Sequence, residues 1–251
     1  REITPLRDPR VTDLARAFWP GPLTLILPKS DRIPDIVTSG LRTVGVRMPD
    51  HDMARELIRK AGCPIAAPSA NKFGRISPTE AWHVREHLPG VDMVLDGGPT
   101  RVGIESTIIS LRPDGFQLLR PGAVTREDLD RILPESFDVP SEMNPEAPGM
   151  LASHYSPSKP FHIYSREALS RIDPSETGYI SFRGEVPADF AKVITLSPTG
   201  DLKECATRVF GAMHQLESLD VKAIMAEPVP QKGIGVAIMD RLLKAAHDWK
   251  S

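Results

Sequence analysis

TVGVRMPDH (residues 43–51) and CPIAAPSANKFGRISPTEA (residues 63–81) are the stretches that decide how this chain is read. Each opens as an apolar run short enough for a buried strand. Each then supplies groups suited to gripping an anion: Thr43 and Arg47 in the first, Ser69, Asn71 and Ser77 in the second. A buried strand that ends in such side chains marks the edge of a ligand site. Turns use Ser, Asn and Pro on their own account, so either segment alone also reads as an ordinary strand-to-turn transition.

Working outward, the pattern around these segments alternates strand and helix. Asp8 is an N-cap, Pro9 takes the first helical position, and Leu14, Phe18 and Trp19 form the apolar face of a helix that stops at Pro20-Gly21-Pro22. LTLIL (23–27) and TVGVRM (43–48) read as strands. Asp50 caps a helix that ends at Gly62, and 64–68 returns as a strand. Ser77 and Glu80 have capping-box spacing, which opens a helix to about Leu88. Residues 93–96, 106–111 and 117–119 are three further strands, and Thr125 with Asp128 opens a short helix.

From 134 to 160 six prolines fall in 27 residues with no helical or strand period, the composition of a linker. Beyond it FHIY, GYISF, KVITL and KAIMAE are short strands, and 202–216 and 238–249 are amphipathic helices. The division expected is therefore a domain over 1–133, a Pro-rich linker over 134–160 and a smaller α/β domain over 161–251.

The chain of 251 residues is long enough to bury a sizeable core, and 40% apolar with 25% charged residues is a globular composition. A net charge of −2 gives no general basic field for nucleic acid. Cys63 and Cys205, the two cysteines, argue against a disulfide framework or a thiolate metal site. No apolar run reaches the roughly 20 residues of a membrane span, and REITPLRDPR lacks the core of a signal peptide, so a cytoplasmic protein is expected.

Several motifs compete for chemistry. His83-Val84-Arg85-Glu86-His87 matches the H-x-x-E-H pattern of a group of zinc peptidases, with both histidines on one helix face. A third ligand is not evident from the sequence, and the solvated-face reading is preferred. Gly233-Ile234-Gly235 lacks the other residues of a phosphate loop and reads as a helix-start turn, and Asp96-Gly97-Gly98 as a tight turn. In the linker, His154 and Tyr155 stand side by side; they read equally as a lid over a nucleotide or as packing. Ser69, Asn71, Ser77, Ser106, Thr107 and Arg120 all flank expected strands, and their hydroxyl, amide and guanidinium groups suit phosphate and carboxylate oxygens.

At these residues the chain resembles the YrdC-type threonylcarbamoyl-AMP synthases, in the long form with an extra C-terminal domain. The shared segments are FWPGPLTLIL (18–27), VGVRMPDH (44–51), PIAAPSAN (64–71), GRISPT (74–79), DGG (96–98), ESTII (105–109), LLRPG (118–122) and APGMLASHYSP (147–157). The resemblance implies an α/β fold: a twisted open mixed sheet with flanking helices, plus a smaller three-layer, Rossmann-like C-terminal domain. It implies a nucleotidyltransferase that forms threonylcarbamoyl-adenylate and pyrophosphate from L-threonine, bicarbonate or CO2, and ATP, with Mg2+ accompanying the ATP. The adenylate would pass to the machinery that makes threonylcarbamoyladenosine in tRNA.

By the same resemblance Arg47, Ala67 and Ser106 are threonine contacts, and Thr43, Ser69, Asn71, Ser77, Arg120, His154 and Tyr155 are ATP contacts, with Arg47 and Arg120 the principal charges. The family's catalytic domain begins upstream of the residue numbered 1 here, so an N-terminal portion of that domain is expected to be missing from the sequence. The alternative is a double-stranded-RNA-binding or ribosome-assembly module without catalysis, against which the near-neutral charge argues.

Overall fold

Asp8 starts helix α1, Pro9–Phe18, as expected: its carboxylate accepts from the backbone N–H of Arg10, and Pro9 needs no hydrogen-bond partner there. The computed structural model describes residues 3–113, 115–133, 136–137 and 154–247. In chain order α1 is followed by β1 (Leu23–Pro28), β2 (Thr43–Val46), α2 (Asp52–Ala61), α3 (Ala81–His87), β3 (Thr107–Arg112), β4 (Gly115–Arg120), α4 (Arg126–Asp130) and β5 (Ser136–Phe137). Then come β6 (Phe161–Ile163), α5 (Arg166–Leu169), β7 (Thr177–Ser181), β8 (Lys192–Thr195), α6 (Leu202–Ser218), β9 (Ala223–Ala226) and α7 (Ile234–Ala245).

Two units divide the chain: Arg1–Pro68 with Glu105–Met150, and Ser69–Ile104 with Leu151–Ser251. Residues 69–104 thus group with the C-terminal part, whereas the sequence-based division keeps them with the N-terminal domain. The Pro-rich segment 138–153 lies outside the described residues.

The first unit holds a mixed sheet in the order β2-β1-β3-β4-β5. β1 runs antiparallel to β2 and parallel to β3, and β3 runs antiparallel to β4. Leu23, Leu25 and Leu27 of β1 bury one face with Leu14, Ile109, Phe116 and Leu129, and each such side chain contributes roughly 1.5–3 kcal/mol. The second unit holds a parallel sheet in the order β6-β9-β7-β8. All four β9 residues are buried, the continuous apolar run of a strand covered on both faces. Val209, Phe210 and Met213 of α6 and Ile238 and Leu242 of α7 complete that core.

Several expectations are corrected. Residues 64–68 and 93–96 form no strand; Ile65, Met93 and Leu95 are exposed. Apolar extended sequence needs a neighbouring ladder, and neither segment pairs with one among the described residues. The cap of α2 is His51, whose Nδ1 accepts from Ala54 N–H, rather than Asp50. The capping box before α3 begins at Glu80 rather than Ser77, because the His83 ring reaches back to the Glu80 N–H. Helix α7 starts four residues earlier than expected, directly after Gly233.

The turn reading of Gly233-Ile234-Gly235 holds: a Cβ at Gly235 would lie 2.0 Å from the Pro230 carbonyl oxygen, so this turn packs against backbone. Asp96 likewise closes its own turn by accepting from Gly98 N–H. Cys63 is exposed and Cys205 buried, both as free thiols; burial pushes the Cys205 thiol up to about 11, which leaves it protonated and inert at neutral pH. No described helix is long and apolar enough to cross a membrane.

Candidate functional site

Strand register brings three of the expected residues to one end of the first unit's sheet. β1 and β3 start together, with Leu23 opposite Thr107, so Ser106 lies just before the first pair. β4 returns antiparallel and delivers Arg120 opposite Ile108. β2 runs against β1 with Val46 opposite Leu25, so Arg47 leaves the ladder toward the level of Thr24. The chain order of these side chains is 47, 106, 120; the sheet makes them neighbours in position.

Ser106 is the hub. Arg120, only 8% exposed, donates from Nε to the Ser106 carbonyl oxygen at 3.1 Å and from Nη2 to Ser106 Oγ at 3.2 Å. Ser106 Oγ shares a further hydrogen bond of 2.7 Å with Thr24 Oγ1. The adjoining Thr107 hydroxyl donates to the Val124 carbonyl at 2.6 Å, tying the segment after β4 to the start of β3. Gly122 makes that approach sterically feasible: a Cβ there would lie 2.4 Å from Thr107 N and 2.7 Å from Glu105 O. A guanidinium fixed by two bonds to one residue is a preorganised anion ligand, since its geometry is set before the anion arrives.

Arg47 is exposed, although the protein mass around it desolvates the guanidinium and lowers its pKa. Exposure decides its availability to a ligand, because an arginine starting from so high a value remains charged. Thr43 stands apart, paired with Pro28 at the other end of β1, four residues along the chain from Arg47 or about 13 Å of extended strand. Ala67 is exposed on the segment that forms no strand.

The other expected residues belong to the second unit. Asn71 closes the turn of Lys72–Arg75 by donating from Nδ2 to the carbonyls of Lys72 and Arg75 at 2.9 and 3.0 Å. Its Oδ1 is buried without a hydrogen-bond partner among the described residues, an acceptor whose satisfaction would need a donor from elsewhere. This turn is joined to the His154 segment: Ser156 N–H donates to Gly74 O at 2.8 Å, and Arg75 Nη1 to Pro157 O at 3.1 Å. The Phe73 and His154 rings meet edge to face at 6.4 Å. Two sequence segments separated by some eighty positions, each singled out for chemistry, are thus one structural piece.

Within that piece the roles differ. Tyr155 has φ +63° and is fully buried, its ring near Phe210 and under the Arg241 guanidinium. A non-glycine residue in that backbone region is uncommon, and here core packing of the ring holds it. His154 is half-buried beside it. Ser77 is buried, and its carbonyl accepts from His214 Nε2 at 3.1 Å. Ser69 is exposed.

Sequence reasoning misses Thr24, whose only signal is that it is the one hydroxyl in LTLIL, a type common in strands; Gly122 is picked out with Arg120 and Pro121 as part of the converging set, but without its close approach to Thr107.

Two family models match the chain in succession. Sua5_yciO_yrdC, described as "Telomere recombination", covers residues 2–122, and Sua5_C, described as "Threonylcarbamoyl-AMP synthase, C-terminal domain", covers residues 124–247. The threonylcarbamoyl-AMP synthase of Pyrococcus abyssi is 40% identical over 248 residues, 93% of this chain and 72% of that protein. That of Bacillus subtilis is 39% identical over 262 residues, 98% of this chain and 75% of the relative. Among solved structures, P. abyssi Sua5 complexed with L-threonine superposes with a TM-score of 0.88 at 36% identity, covering all of this chain and 77% of that one.

Proposed function

The chain belongs to the threonylcarbamoyl-AMP synthase family of nucleotidyltransferases that serve tRNA modification, and from that premise we propose how its residues divide the reaction. The substrates are L-threonine, bicarbonate or CO2, and ATP; the products are threonylcarbamoyl-adenylate and pyrophosphate. The threonine amine is carboxylated, and the carbamate oxygen then attacks the α-phosphorus of ATP with pyrophosphate leaving. The threonine carboxylate, the carbamate and the triphosphate are all anionic, so catalysis rests on positioning and charge neutralisation.

Arg47 takes the threonine carboxylate, and Ser106 and the backbone at Ala67 line that subsite. Arg120 takes phosphate, and Thr43, Ser69, Asn71, Ser77 and His154 complete the ATP contacts, with Tyr155 contributing through its backbone because its ring is fully buried. The observation that carries this reading is the grip of Arg120 on Ser106 at the end of the sheet where Arg47 emerges. L-Threonine as substrate is supported by the threonine complex of the P. abyssi relative. Mg2+ enters with ATP: the assigned side chains are guanidiniums, hydroxyls, an amide and an imidazole, so the triphosphate supplies the hard anionic oxygens this ion requires.

The two successive family matches, over 2–122 and 124–247, support a catalytic domain followed by a C-terminal domain; their boundary falls near residue 123, ahead of the proposed division into 1–133, a linker over 134–160 and 161–251. The near-neutral net charge disfavours an RNA-binding module as the chain's main role.

The test is pyrophosphate release by the protein with ATP, L-threonine and bicarbonate, each omitted in turn. Arg47→Ala is expected to abolish threonine-dependent release while leaving the denaturation curve unchanged, since the residue is exposed. Near-normal turnover in that variant would remove Arg47 from the site.

A further inference from the structure

Helix α3 faces α6 through imidazoles. His83 of α3 stacks on His214 of α6 with ring centroids 3.7 Å apart and planes 19° from parallel, and His87 of α3 lies 5.4 Å from His214. One turn along α6 from His214 stands Glu217. The ligating atoms of His87, His214 and Glu217 all lie within 4.8 Å of one another. Residues three apart on a helix share a face, so His214 and Glu217 present a nitrogen and an oxygen side by side.

The hydrogen bonds around these groups sort ligands from non-ligands. His83 Nδ1 accepts from the backbone N–H of Thr79 at 3.0 Å and of Glu80 at 3.2 Å, so its lone pair is engaged and Nε2 carries the proton. His83 is therefore a helix cap, and the zinc-peptidase spacing of His83 and His87 does not describe the site. His214 is the reverse case. Its Nε2 donates to the Ser77 carbonyl, which fixes the neutral tautomer and leaves Nδ1 with a free lone pair. Glu217 accepts the Ser158 backbone N–H on Oε1, which orients the carboxylate and leaves Oε2 available. A histidine held by a backbone carbonyl and a carboxylate held by a backbone N–H are the outer-shell arrangements that position metal ligands.

We propose that His87, His214 and Glu217 form a zinc site joining α3 to α6, a binding site whose three ligands are not among the residues assigned to threonine and ATP, although the Ser77 carbonyl orients His214. Two imidazoles and one carboxylate are a borderline donor set suited to Zn2+, with a water completing four-coordination. Bonds of about 2.0–2.1 Å in a tetrahedron need donors about 3.4 Å apart, a modest closure for His87 and Glu217, which are both partly exposed. The site pins the short helix α3 to α6 within the second unit.

The test uses the full chain, tag removed and stripped with chelator, carrying Cys63→Ser so that the exposed thiol offers no competing ligand. Zn2+ is titrated against a chromophoric chelator, and Co2+ binding is followed by visible absorption. One equivalent of Zn2+ is expected, with a tetrahedral Co2+ spectrum. His87→Ala and Glu217→Gln should each weaken Zn2+ at least tenfold, whereas His162→Ala should leave it unchanged. Glu217→Gln retains an acceptor for Ser158 N–H, so its loss of binding would reflect the missing charge. Absence of stoichiometric Zn2+, or unchanged affinity in both His87→Ala and Glu217→Gln, would overturn the site.

Discussion

Gly122→Ala offers the sharpest test of how the Ser106 hub is built. The added methyl would lie 2.4 Å from Thr107 N, 2.7 Å from Glu105 O and 2.7 Å from the Ser106 carbonyl carbon. All three are backbone atoms, so no side-chain rotation relieves the overlap. Either the segment after β4 or the start of β3 must move. Overpacking of this kind costs about 1–3 kcal/mol. Movement also stretches the buried Thr107-to-Val124 hydrogen bond, and leaving that pair unsatisfied adds roughly 1–3 kcal/mol. A total of about 2–6 kcal/mol is expected, or a fall of at least about 0.7 M in the urea midpoint at slopes of about 1–3 kcal/mol/M. Gly90→Ala serves as the control, because nothing lies within 4 Å of its added methyl. The same displacement carries Ser106 away from Arg120, so the KM for threonine should rise in whatever fraction remains folded. A Gly122→Ala protein with unchanged midpoint and unchanged KM would refute the claim that this close approach holds the site.

Ser106→Ala removes the hydroxyl that meets both Thr24 and Arg120, and a loss of about 1–2 kcal/mol in urea denaturation is expected together with a raised threonine KM. A normal KM would separate Ser106 from substrate. Acid stability is set in part by His83, whose pKa is lowered to about 4 by burial first and then by the His214 and His87 charges. Its folded value lies below the unfolded 6.5, so the stabilising contribution is full above pH 6.5 and is lost as pH falls toward 4, by about 3 kcal/mol in all. His214 is shifted the same way and adds to the slope. In chelated buffer, His83→Asn should flatten the decline in urea midpoint between pH 6.5 and 4, and an unaltered slope would contradict the assignment.

The elements that were legible in sequence are those whose evidence is local. LTLIL, TIISLR and KAIMAE announce strands because each is an apolar run bounded by turn residues. α1 and α4 announce themselves through Asp8-Pro9 and Thr125 with Asp128. Residues 64–68 and 93–96 carry the same local signal and form no strand, because a ladder is a property of two segments and sequence reports one at a time. Caps failed for a related reason. Ser77 and Glu80 have capping-box spacing, but the His83 ring accepts from both Thr79 and Glu80 N–H and moves the helix start to Ala81.

The candidate site was legible as residue types and illegible as geometry. Nothing local in VGVRMPDH, ESTII and LLRPG says that Arg47, Ser106 and Arg120 share an end of a sheet. That follows from two strand directions: β2 antiparallel to β1 turns Arg47 back toward the start of β1, and β3 parallel to β1 puts Ser106 at the same start. Had β2 paired in parallel, Arg47 would sit at the far end, where Thr43 now is. The exchange of places between Thr43 and Arg47 depends on one pairing, so the anion-binding character of this edge is decided by topology. The residue types only make it possible.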